Sequence, residues 1–197
     1  MTLLATQTLS LPVVTTTTAE TIATVDDLVY DLAKWQISGF EVITEKGKFV
    51  LPVAAIESAA DNQILIKSWD SLVQHEDAPE LTAELMRGPK LQEVEVRSAS
   101  GERVGYLEDL EITLTDWTIT GLVAGRGEVS DLLVGPVRMG SVDVDVKSPT
   151  LVQIRPEAKI DLGSETEQTV AATLQKAKEG ADDLLQKGSD IINDIIK

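Results

Sequence analysis

The amino-acid sequence predicts a mainly β chain: two small β-barrels joined by a short helical linker and followed by an amphipathic α-helical tail. Three observations carry that prediction. A stretch of the first half recurs in the second half, the recurring stretches alternate apolar and polar residues, and the C-terminal segment holds a heptad stripe.

The repeat is read first because it sets the boundaries. Residues 25–40 lie over residues 107–122 at a constant offset of 82 without a gap, and six positions are identical. They are Asp27 and Asp109, Leu28 and Leu110, Leu32 and Leu114, Trp35 and Trp117, Ile37 and Ile119, Gly39 and Gly121. Two of the chain's three tryptophans fall in register, which a chance echo rarely arranges. Weaker similarity joins residues 49–53 to 133–137. The repeat divides the chain into a first unit at 9–75, a linker at 76–86, a second unit at 87–156 and a tail at 164–197.

In the first unit, Ile22, Val25, Val29 and Leu32 are spaced three, four and three, which alone suggests a helix. The second copy overrules that reading, because Leu110, Ile112 and Leu114 alternate with Glu111 and Thr113 as a strand with one wet face. Each copy then turns at its tryptophan, Lys34-Trp35 or Asp116-Trp117, into a second strand at 37–43 or 119–124. Lys46-Gly47 and Ser100-Gly101 read as tight turns. Further strands are expected at 48–51, 64–67, 92–97, 142–146 and 151–154. Between the units, Pro79 followed by Leu81, Leu85 and Met86 reads as a short helix. Five or six short strands per unit point to a small barrel or partly open curled sheet.

At this level of detail the chain resembles the PRC-barrel family, to which the reaction-centre H subunit's cytoplasmic domain and a ribosome-maturation factor's C-terminal domain belong. The second copy carries the resemblance best, through Gly101 to Gly105, Leu107 to Leu110 and Trp117 to Val123. The first copy matches at Val25 to Leu28 and Ile37 to Phe40, and departs at Ala23, where the second has Gly105. The resemblance implies a small β-barrel fold and a protein-interaction or assembly module rather than an enzyme.

The tail opens on Ser164 and Glu167, a capping-box arrangement. Val170, Leu174, Ala177, Ala181, Leu184, Gly188, Ile191 and Ile195 then recur alternately at four and three residues, with Leu185, Ile192 and Ile196 widening the stripe. A helix carrying that stripe would run about 45 to 50 Å. Isolated amphipathic helices are marginal in water, so the stripe is expected to pack on the barrels, on a second copy or on a protein partner. Acidic residues outnumber lysines there, which disfavours direct membrane binding.

Composition removes several function classes. The net charge of -16 opposes nucleic acid, whose affinity rests largely on Lys and Arg neutralising phosphates. No cysteine means no disulfide, thiol nucleophile or thiolate metal site. The longest apolar run, 49–56, falls far short of the roughly 20 residues of a bilayer span. No basic region precedes the apolar stretch in 1–11, so a cytoplasmic protein is expected, reaching a membrane only through a protein partner.

Candidate chemistry is sparse. His75, the sole histidine, sits beside Glu76 and Asp77 and reads as a solvated linker. Gly125-Arg126-Gly127 lacks the lysine and spacing of a phosphate loop. Asp143 and Asp145 would share one face of a strand and form a candidate divalent-cation site. Asp26-Asp27 and Glu108-Asp109 recur at matching places and read as a solvated turn or strand start. Trp35 and Trp117 are expected in the core, whereas Trp69, which has no repeat partner, is the candidate interface aromatic. No catalytic residue or cofactor is expected. The best reading is a non-enzymatic adaptor or assembly factor, contacting its partner through Trp69, Val170, Leu174, Leu184, Ile191 and Ile195. The alternative is a cation- or small-molecule-sensing module with its acidic site at Asp143 and Asp145.

Overall fold

The computed structural model describes residues 2–60, 62–125, 135–158 and 160. The first half contains β1 (Thr2–Leu4), β2 (Pro12–Thr15), β3 (Thr21–Asp31), β4 (Gln36–Thr44), β5 (Gly47–Pro52), β6 (Ile56–Ala60) and β7 (Gln63–Ile66). A helix, α1 (Pro79–Arg87), precedes β8 (Glu95–Arg97), β9 (Arg103–Thr113), β10 (Ile119–Gly125), β11 (Val137–Gly140), β12 (Val144–Ser148) and β13 (Leu151–Ile154). Proline at the first helical position suits α1, since its missing N–H would have no intrahelical partner anyway.

Two curled, open sheets result, with the same internal order. One runs β5-β4-β3-β2-β7-β6 and the other β11-β10-β9-β8-β13-β12, each with a parallel pair at β2 and β7 or β8 and β13. The strands expected at 37–43, 48–51, 64–67, 119–124 and 151–154 and both glycine turns lie close to where the residue pattern placed them, and Gly47 and Gly101 take φ of 114° and 89°. That left-handed backbone is why glycine sits there.

β3 is extended throughout and carries a β-bulge near its middle. Val25 pairs with Val42 and Asp27 with Glu41, so Asp26 is the extra residue; in β9 the pairs Leu107 with Ala124 and Asp109 with Val123 skip Glu108. An inserted residue shifts the alternation, so Val25 and Leu28 both face the core three residues apart. The acidic pairs therefore mark mid-strand bulges, which bend and curl each sheet, and not turns or strand starts. Each bulge lets the second carboxylate accept the next backbone N–H, Leu28 to Asp27 and Leu110 to Asp109, both at 2.8 Å.

Two other expectations are corrected. Residues 142–146 are not one strand: Ser141–Asp143 is a 3-10 turn and only Val144 onward is extended. The strand expected at 92–97 is shortened to β8 because Leu91–Glu93 is likewise a 3-10 turn. A further strand lies outside the expected first unit, since β1 adds to the second sheet, pairing Thr2, Leu3 and Leu4 with Thr113, Ile112 and Glu111.

The two sheets meet at their tryptophan hairpins about a local two-fold relation. Gln36 and Thr118 form an isolated bridge, in which Ile37 N–H donates to Trp117 O at 2.9 Å and Ile119 N–H to Trp35 O at 2.8 Å. Trp35 and Trp117 both hold positive φ, 55° and 60°, a conformation costly for so bulky a residue. The Trp117 ring meets Phe40 of the other copy edge-on, with centroids 5.1 Å apart. Ile37, Phe40, Leu51, Ile64 and Ile66 from one sheet and Leu107, Leu110, Ile112, Ile119 and Leu122 from the other are fully buried in one continuous apolar cluster. Gly39 and Gly121 recur because strands cross closely there: a Cβ would stand 2.8 Å from Leu51 O in the first and 2.9 Å from Met139 O in the second.

Candidate functional site

A cleft lies where α1, the first tryptophan hairpin and the β12–β13 turn converge. Tyr30, Leu32, Ala83, Pro89, Val146 and Pro149 contribute to its mostly apolar lining, around a volume of about 480 Å³. A second cavity of about 410 Å³ continues on the other side of Tyr30, between Asp27 and the Lys90–Glu93 segment. The Tyr30 hydroxyl separates them, donating to Pro89 O at 2.5 Å. Burial pushes that hydroxyl's pKa up to about 12, with the negative charges of Asp27 and Glu93 adding to the effect. Glu84 borders both cavities, and its Oε2 is buried without a hydrogen-bond partner among the described residues.

The inner cavity is acidic, with Asp27, Glu84 and Glu93 set against Lys90. Asp27 is exposed there, and the residue pattern did not mark it as a site. The signal available was its identity with Asp109, whose surroundings differ. Asp109 is 7% exposed and accepts from Thr6 N–H at 3.0 Å, from the Thr6 hydroxyl and from Leu110 N–H.

A smaller depression of about 330 Å³ lies over β5, lined by Lys46, Lys48, Phe49, Gln74, His75 and Glu76. Trp69 borders this region. It is partly buried, meets Phe49 edge-on at 6.2 Å and carries Lys46 Nζ 4.6 Å above its ring. The Trp69–Ser71 turn also brings Val73 onto the β5 edge, where it exchanges two hydrogen bonds with Val50. His75 is not a free linker residue. Its Nε2 lies 3.0 Å from Glu41 Oε1, and Glu41 also takes Lys48 at 2.5 Å, which in turn reaches Asp26 at 2.7 Å. Lys48 holds the Asp26 carboxyl below its ordinary range. Glu41 is 34 residues from His75 in sequence, so spacing could not have shown this chain of charges.

Asp143 and Asp145 are turned to different partners. Asp143 Oδ2 accepts Gly140 N–H at 3.2 Å inside its 3-10 turn. Asp145 pairs with Arg155 at 2.8 Å and Lys147 at 3.3 Å, and those two cations lower its pKa. Among the described residues no three His, Cys, Asp or Glu side chains are grouped to hold a metal ion. Val170, Leu174, Leu184, Ile191 and Ile195 lie outside the described residues.

The fold and clefts define a class: a mainly β body of two curled half-barrel sheets with a short helix between them, consistent in general with a PRC-barrel-like fold. No protein-family model matches the chain, and no curated protein is significantly similar to it. Among the described residues no helix is long and apolar enough to cross a membrane.

Proposed function

We propose that this protein is a non-catalytic interaction module of the PRC-barrel kind, acting as an adaptor or assembly factor. The observation that carries the reading is the largely apolar cleft beside Tyr30, built jointly from both repeats and α1. Its walls offer side-chain packing and backbone, and Asp31 at its rim is held by the Ala33 N–H and by Lys34. Two contact regions serve the role: the sheet surfaces, including Trp69 with Phe49 and Lys46, and the apolar stripe of the tail. In this reading the protein works in the cytoplasm and meets a membrane only through its partner.

The tail's part is tested by changing Leu184 and Ile191 together to Asp and measuring solution mass by light scattering alongside the circular dichroism of the sheets. The expected result is loss of self-association or of a co-purifying partner with the β signal intact. Unchanged mass and an unchanged partner set would remove the tail from the proposal.

A further inference from the structure

The two repeats differ in one place that bears on recognition. On β9, the side opposite β10 is filled at Glu111–Thr113 by β1. The offset of 82 makes Val29–Asp31 of β3 the equivalent stretch, and among the described residues no strand pairs with it on the side opposite β4. The segment that should fill it can be identified from its turn. Leu4 N–H donates to Gln7 Oε1 at 2.9 Å and Lys90 N–H to Glu93 Oε2 at 3.0 Å, so Lys90 corresponds to Leu4 and Pro89 to Leu3. Proline has no N–H for a ladder, and Gly88 N–H is committed to Glu84 O as the cap of α1. The linker therefore stands off from β3, and the two cavities are the space left behind.

We infer that this groove is a strand-addition site for an extended partner segment with adjacent aliphatic side chains followed by a hydroxyl-bearing turn. The chemistry is that of the chain's own arm, Thr2–Thr8, which occupies the equivalent place on β9. Its receptor residues are repeated: Asp27 for Asp109, Leu28 for Leu110, Leu32 for Leu114. Asp109 takes the N–H and hydroxyl of Thr6, and Asp27 presents the same carboxylate, to which, among the described residues, only the adjacent Leu28 N–H is bonded. Charge complementarity points the same way, since Asp27, Glu84 and Glu93 against one lysine favour a segment that brings hydrogen-bond donors. Main-chain pairing supplies affinity and the apolar outer cavity side-chain selectivity, as in other strand additions. The Tyr30 hydroxyl bond to Pro89 crosses the groove and opens when the segment enters.

The inference rests on the interaction reading, yet it can fail while tail-dependent association stands. The test is calorimetric titration of the full chain with a synthetic peptide of residues 2–10. Saturable one-to-one binding is expected, weakened roughly tenfold or more by Asp27→Asn, as for loss of a charged hydrogen-bond acceptor. Tyr30→Phe, which removes the crossing bond, is expected to tighten it. Hydrogen exchange should slow at the amides of 29–31 when peptide is present. No binding, or equal binding to Asp27→Asn, overturns the site. So does binding seen only in the Leu184 and Ile191 variant, which would assign the groove to the chain's own tail.

Discussion

Asp27 and Asp109 occupy the same position of the repeat, follow the same bulge and bond the same neighbouring N–H, but one is exposed and the other is 7% exposed. The difference comes from the segment laid against each. The arm places the N–H and hydroxyl of Thr6 on Asp109, whereas the linker, with Pro89 offering no N–H, leaves Asp27 facing a cavity. A buried carboxylate survives only when its oxygens are bonded, so the same residue is structural in one copy and available in the other.

The contrast is broken most severely by Asp109→Ala, which strands Thr6 and loosens the arm. Urea denaturation should show a loss of about 3 kcal/mol, against less than about 1 kcal/mol for Asp27→Ala. Similar losses in both would mean that the arm contributes no asymmetry. A middle-sized effect is expected where the copies agree: Gly39→Ala and Gly121→Ala should each cost about 1 to 2 kcal/mol, because the added methyl meets a backbone oxygen of the neighbouring strand. A neutral result at either glycine would show that the strand crossing can relax.

The smallest effect concerns the bond that spans the first copy's groove. Tyr30→Phe should cost about 1 kcal/mol at neutral pH. In the intact chain the Tyr30 pKa is raised from about 10 to about 12, so its stabilising contribution is complete below pH 10 and is lost as pH rises through about 12. Alkaline denaturation of the Phe variant should lack that loss. If the two proteins show the same alkaline profile, Tyr30 is not the group that titrates.

Much of the architecture was legible in the residues. The offset of 82 placed both hairpins, both tryptophan turns and the recurring glycines, because turn geometry and side-chain alternation act over a few residues. The helix-like spacing of Val25, Val29 and Leu32 was resolved only by the second copy, where Leu110, Ile112 and Leu114 alternate as a strand. Asp143 and Asp145 misled for the reverse reason: alternation with valines resembled a continuous strand, and the 3-10 turn at Ser141–Asp143 leaves no trace in that pattern. The Glu41 link to His75 and the groove beside Tyr30 were not legible at all, because each joins segments far apart in the chain.

By itself the sequence determined a duplicated β chain with matched turns, an acidic surface and a helix-forming tail pattern, all properties of local spacing and composition. Only the tertiary structure decided that the N-terminal arm belongs to the second sheet, that the hairpins bridge at Gln36 and Thr118, and that Asp109 is clamped while Asp27 is open. Thr6 and Asp109 stand 103 positions apart, and a hydrogen bond between such residues is fixed by packing, which no local pattern encodes.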